Sequence, residues 1–218
     1  MVSDAEWKDL MKAVHEIQQW FPDEVAYIGG IAIYAHCMDR QETEYLAARS
    51  HDADLMILLS ALMDLRDIEV LTSNRRLGKQ QFIKHGIEFD VYVEGQHDLR
   101  VPADELISYS QIRHGLRVAC LEHLLVLKLE AFAKRRGTEK GDKDEDDIVK
   151  MLIVGQDFSE ERSRHLTSSM IDSLEQVTSG DAPVRIAKGN LHNAKILRHK
   201  AVSAAQTLRD IVQRTYGL

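Results

Sequence analysis

The chain has 218 residues, 44% of them hydrophobic, and a formal net charge of -7; this supplies a packed interior and argues against a protein that coats nucleic acid over its whole surface. Its 2 cysteines, Cys37 and Cys120, lack metal-ligand spacing, which excludes a disulfide framework and predicts two buried small hydrophobes in a reducing cytoplasm. The stretch MVSDAEWKDL lacks the basic and apolar regions of a signal peptide and no apolar run has the length of a membrane span, so a cytoplasmic protein with no membrane partner is expected.

Ser3 and Glu6 have the spacing of a capping box, and Trp7, Leu10, Met11, Val14 and Ile17 recur at helical intervals, which predicts a first helix ending near Trp20. After Pro22 the run EVAYI reads as a strand leading into a turn at Gly29 and Gly30, and IAIYAHCM as a helix. The polar segment DRQETEYLAA is expected to be exposed and to deliver the chain to Ser50, Asp52 and a second strand in LMILL. Strands are predicted over Asp67 to Thr72 and Lys79 to Lys84, with TSNRRLG between them as a basic turn. In IEFDVYVE, Ile87, Phe89, Val91 and Val93 alternate with Glu88, Asp90, Tyr92 and Glu94, the period of a half-buried strand, and His85 and Gly86 make the preceding hairpin turn. VPADELISYS is a short strand or helix and LRVAC a strand. LEHLLVLKLEAFAKRR is a helix stopped by Gly137, and TEKGDKDEDDIVKMLIV starts acidic and turns apolar as a helix N-terminus does. Two further helices are predicted, from about Ser159 to Val177 and from about Val184 to Tyr216. The expected fold class is α+β: a mixed sheet core flanked by helices over residues 1–118, then a helical region over residues 119–218.

Asp52 and Asp54, two apart at the head of a strand, are expected to project from one face. Adjacent carboxylates repel unless a cation lies between them, and Mg²⁺ favours about one or two carboxylates with phosphate oxygens and water. A neighbouring strand carrying Asp90 would add a third acid, and a glycine pair lets backbone approach a phosphate closely. Together these are the parts phosphoryl or nucleotidyl transfer needs. Each part has a bland alternative: a solvated strand end for the aspartates, an open strand face for Asp90, and snorkelling bases for Lys128 and Arg135.

The chain resembles the nucleotidyltransferase superfamily that shares the polymerase β palm, and within it the AbiEii-type toxins, over roughly residues 24 to 155. Gly29, Gly30, Asp52 and Asp54 match its first motif, Lys128 and Arg135 in KLEAFAKR a second, and Lys143, Asp144, Asp147 and Ile148 a third. One departure is Ala48, where many relatives carry an arginine; Arg49 stands next to it. The resemblance implies transfer of a nucleoside monophosphate from an NTP such as ATP to an acceptor hydroxyl, with two Mg²⁺ ions. Asp52 and Asp54 would hold the metal, Asp90 would complete the metal site or act as base, Lys128 would join these three as a catalytic residue, and Gly29, Gly30, Ser50, Lys128, Arg135, Asp144 and Asp147 would be the nucleotide-binding set. Lys128 and Arg135, two helical turns apart, would bind triphosphate or pair with Asp144 and Asp147 on the next helix.

The implied acceptor is RNA, tRNA or protein, with a cognate antitoxin as a further partner. Between Val184 and Arg214 the bases Arg185, Lys188, Lys195, Arg198, Lys200, Arg209 and Arg214 face a single acid, Asp210. That is either an RNA surface or a solvated helix packed on an acidic core. The alternatives are an aminoglycoside-like small-molecule acceptor, which would want an acidic cleft, and a catalytically idle member that binds a nucleotide or partner.

Overall fold

The computed structural model describes residues 2–74, 79–95, 99–155 and 157–216, so the basic turn expected at Arg75 and Arg76 lies outside the described residues. By its contacts the chain divides into two compact units. The first is Met1–Asp39 with Ala47–Cys120, and the second is Arg40–Leu46 with Leu121–Leu218.

The first unit is built on a seven-stranded mixed sheet. Its elements are helix α1 (Asp4–Trp20), β1 (Val25–Ile28), α2 (Gly29–Met38), β2 (Ala53–Ile57), α3 (Leu59–Ile68), β3 (Thr72–Asn74), β4 (Lys79–Lys84), β5 (Ile87–Val93), α4 (Ala103–Ser108), β6 (Gln111–Arg113) and β7 (Leu116–Val118). The strand order is β3-β4-β5-β2-β1-β7-β6. β2 runs parallel to β5 and antiparallel to β1, and β1 runs parallel to β7.

The capping box forms as read: Glu6 N–H donates to Ser3 Oγ and Ser3 N–H to the Glu6 carboxylate, which sets the start of α1. Its buried stripe of Trp7, Leu10, Ala13, Val14 and Ile17 lies on the sheet, where the buried Tyr27 hydroxyl donates to Val14 O at 2.7 Å. Burial pushes the Tyr27 phenol well above its usual pKa, so it stays a neutral donor. Leu55, Phe89, Val91 and Val93 are likewise buried. His85 (φ 52°) and Gly86 (φ 78°) form the two-residue hairpin turn as expected. Both central residues have the positive φ that matches strand twist.

Three expectations for this unit are corrected. α2 begins at Gly29 and Gly30 themselves and not, as expected, after a turn at the pair. The strand expected over residues 67–72 is instead the end of α3 and a loop, with β3 beginning at Thr72; Ala61, Leu62 and Leu65 bury one side of α3, and this helical stripe outweighs the β-branched Ile68 and Val70. β2 starts at Ala53, leaving Asp52 in the bend before it.

The second unit is helical: α5 (Leu121–Arg135), α6 (Glu139–Val154), α7 (Glu160–Ser163), α8 (Ser168–Ser179), α9 (Ala182–Ile186) and α10 (Leu191–Tyr216). Gly137, at φ 75°, ends the first of these runs, and the Thr138 hydroxyl caps the next by accepting from Gly141 N–H. The two helices expected after residue 159 are in fact four. Thr167 supplies a side-chain N-cap that restarts the chain at α8, and Pro183 opens the short α9. The DRQETEYLAA segment is only partly exposed. Thr43 and Leu46 are buried, and an Arg40 guanidinium nitrogen donates to Val154 O.

Candidate active site

Parallel pairing of β2 with β5 places Asp54 opposite Asp90, so their backbones are neighbours at the usual strand spacing of about 4.8 Å. Paired residues project from the same sheet face, which puts both acidic side chains on one face of the sheet. Asp52 comes two residues earlier and is exposed; Ser50, itself buried, donates Oγ–H to Asp52 Oδ1 at 2.7 Å. The structure therefore gathers Ser50, Asp52, Asp54 and Asp90 around the start of β2.

The head of α2 closes on the same point. Gly29 has φ +61°, and a Cβ built on it would lie 2.3 Å from Asp54 Oδ2. A Cβ on Gly30 would lie 2.9 Å from Ser50 Oγ. Any side chain at Gly29 would occupy the carboxylate's own position. The N-cap of α2, Ile28, makes no side-chain hydrogen bond to the first turn. A helix start whose N–H groups have no side-chain cap is suited to an anion such as phosphate.

Asp90 is 7% exposed. Lys79 pairs with its Oδ2, and Gln81 Nε2 donates to Oδ1 at 2.7 Å and to Glu88 Oε1 at 2.6 Å. Lys79 and Gln81 were not singled out from the sequence, although a local signal existed. The two-residue turn at His85 and Gly86 sets Lys84 against Ile87, and counting back places Gln81 opposite Asp90. Arg49, beside the departure at Ala48, pairs with Asp4 at 2.5 Å, which ties the approach to β2 to the start of α1.

The donor set fits a hard divalent ion. Asp52, Asp54 and Asp90 offer only carboxylate oxygens, the ligand type Mg²⁺ takes alongside phosphate and water. A cationic ammonium already lies on Asp90, so the place attracts positive charge.

In the second unit the other candidates form one ion-pair network. Lys128 Nζ lies 3.2 Å from Asp144 Oδ1 and 2.9 Å from Asp147 Oδ2. Lys150 Nζ is 3.2 Å from Asp147 Oδ1, and Arg135 Nη2 is 2.9 Å from Asp144 Oδ2. Asp144 and Asp147 are buried. Burial opposes charge on Lys128, but Asp147 and Asp144 outweigh it and its pKa is raised. Burial likewise disfavours the Asp147 carboxylate, yet Lys128 and Lys150 hold it below its ordinary value. Of the two arrangements open to Lys128 and Arg135, the structure shows the pairing with the next helix.

Much of the C-terminal basic charge is also engaged within this unit. Arg185 reaches Glu145 and Asp146, each at 2.8 Å. Arg209 reaches Glu175 at 2.7 Å, and Arg198 donates to Gly180 O. Lys195, Lys200 and Arg214 are exposed.

No family model matches the chain, and no curated protein matches it. Solved structures do. JHP933 from Helicobacter pylori is 14% identical, with 100% of this chain and 97% of that one covered at a TM-score of 0.52. A candidate nucleotidyltransferase from H. pylori is 15% identical, covering 97% and 96% at 0.51. An antigenic nucleotidyltransferase-like protein from Paracoccidioides brasiliensis is 16% identical, covering 86% and 93% at 0.48. At these identities the likeness speaks for the fold, and the mixed sheet flanked by helices is a nucleotidyltransferase-like fold.

Proposed function

We propose that this chain is a Mg²⁺-dependent nucleotidyltransferase that moves a nucleoside monophosphate from an NTP to an acceptor hydroxyl. The observation that carries the reading is the register of β2 on β5, which sets Asp54 beside Asp90 with Gly29 packed against the Asp54 carboxylate. Asp52, Asp54 and Asp90 would hold the metal, which when bound supplies Lewis-acid polarisation of the phosphate and of the attacking hydroxyl. The first turn of α2 binds triphosphate oxygens through backbone N–H groups. Ser50 orients Asp52 by its hydrogen bond, and Gln81 fixes Asp90 while sharing its amide with Glu88. We assign Lys128, Arg135, Asp144 and Asp147 to nucleotide handling on the motif resemblance. Their mutual pairing supports a preset position for the Lys128 ammonium.

The resemblance to AbiEii-type toxins favours an RNA hydroxyl, tRNA included, as acceptor. A small basic acceptor is the second reading, favoured by the exposed Glu88 next to the acid cluster. Incubation with each labelled NTP, Mg²⁺ and either total tRNA or an aminoglycoside tests both. Label should pass to one acceptor with the parent chain, and removal of a metal ligand by Asp54→Asn should lower the rate by about 1,000-fold or more, the scale set by losing the main electrostatic stabilisation. Transfer that survives Asp54→Asn would sink the assignment. No transfer to any acceptor would leave an idle nucleotide-binding protein.

A further inference from the structure

Lys79 belongs to none of the motifs of the resemblance, yet its ammonium pairs directly with an acid of the cluster. Its side chain is 11% exposed and that of Asp90 10%. An ammonium this covered is costly without a partner. Register continued one step beyond Gln80 and Val91 sets Lys79 across from Tyr92. Its stem therefore runs diagonally along the sheet to reach Asp90, a span that a four-carbon side chain covers and a shorter one does not. The contact falls on Oδ2, whereas Oδ1 is taken by the neutral amide of Gln81. One oxygen of Asp90 is thus held by an uncharged donor and the other by a cation on a flexible stem.

We propose that Lys79 is the internal counter-cation of the acid cluster: it and a divalent ion compete for Asp90 Oδ2, so Lys79 sets the ion affinity of the site. This rests on the metal-dependent reading above. Two positive charges cannot share one carboxylate oxygen closely without strong repulsion. The ion's arrival must therefore move the ammonium off Oδ2, and the flexible four-carbon stem allows the head to turn away. The released ammonium then carries its charge to the edge of the site, where it can face an incoming phosphate.

The test is Mn²⁺ binding to the full chain, read as loss of the free-ion EPR signal, in the parent, Lys79→Met, Lys79→Gln and Asp54→Asn. Removing the competing cation should tighten Mn²⁺ about tenfold in both Lys79 variants, one decade of dissociation constant. The melting temperature should also rise more with added Mg²⁺ in Lys79→Met than in the parent. Lys79→Gln keeps a polar group on the strand and covers the case in which Lys79→Met does not fold. If the parent binds Mn²⁺ and Asp54→Asn abolishes it, but both Lys79 variants bind equally or more weakly, Lys79 is a fixed support for Asp90 and the inference falls while the metal site stands. If the parent takes up no Mn²⁺ that depends on Asp54, the metal reading fails and takes the inference with it.

Discussion

At Gly29 there is no room for a side chain, and this is where the first residue-scale prediction lies. The left-handed φ of +61° already disfavours any residue with a Cβ, at roughly 1–2 kcal/mol. The Cβ would also displace Asp54 Oδ2, which lies 2.3 Å from its ideal position. Gly30 differs: its φ is not left-handed, and its Cβ would meet only Ser50, 2.9 Å from Oγ and 3.1 Å from Cβ, a contact that a small shift of Ser50 relieves. Gly29→Ala should therefore lose about 1–2 kcal/mol in urea unfolding and most nucleotidyl transfer, with Gly30→Ala the milder of the two in both assays. Equal losses would mean that the Asp54 contact is not what Gly29 protects. The glycine pair and the three aspartates were readable as residue types with chemistry. That Asp90 lies beside Asp54 could be expected only on condition that their strands pair, and nothing local in the sequence fixes that pairing, because it joins strands far apart in the chain. Gln81 as a partner of Asp90, by contrast, lay within reach of a local hairpin count from the two-residue turn, although it was not singled out from the sequence.

At the scale of elements, α5 and α6 are joined by charges as well as by apolar packing, and this makes their association depend on pH. The folded pKa of Asp147 lies below its ordinary value of 3.8. Its contribution is complete above that value and is lost as pH falls through the folded pKa. The folded pKa of Lys128 lies above 10.5, so its contribution is complete below 10.5 and is lost as pH rises through the folded value. Asp147→Asn should flatten the acid limb of a plot of urea midpoint against pH, and Lys128→Met the alkaline limb. Near neutrality each should cost roughly 2–3 kcal/mol, less than a fully orphaned buried charge because Asp144 still holds Lys128 in the first case. An unchanged acid limb in Asp147→Asn would show that the network contributes no linkage. The sequence made these two helices legible through good helix formers, the stop at Gly137 and an acidic start that turns apolar, while the Thr138 cap emerges only in the structure. It hid α3, where β-branched residues masked a buried stripe of Ala61, Leu62 and Leu65. It also hid the breaks between α7 and α10, which come from a threonine cap and a proline within otherwise helix-forming sequence.

For the whole molecule the open issue is where a chain of net charge -7 would hold an RNA acceptor. Counting bases near the C-terminus suggested a surface, but composition cannot tell an engaged guanidinium from an exposed one. Arg185 and Arg209 are matched to acids of their own unit and Arg198 to a carbonyl, so those charges are partly neutralised where they sit. Lys195 and Lys200 remain exposed on α10 and carry the clean test. If α10 contacts RNA, Lys195→Glu with Lys200→Glu should weaken tRNA binding. It should also flatten the slope of log K against log salt by about 1.4, the counterion release expected for two single-strand phosphates. The same double variant should leave urea stability within about 0.5 kcal/mol, as for exposed substitutions generally, so a binding loss would not be a folding loss. An unchanged slope would remove α10 from the RNA interface and shift weight to a small basic acceptor held by the acids around Asp90.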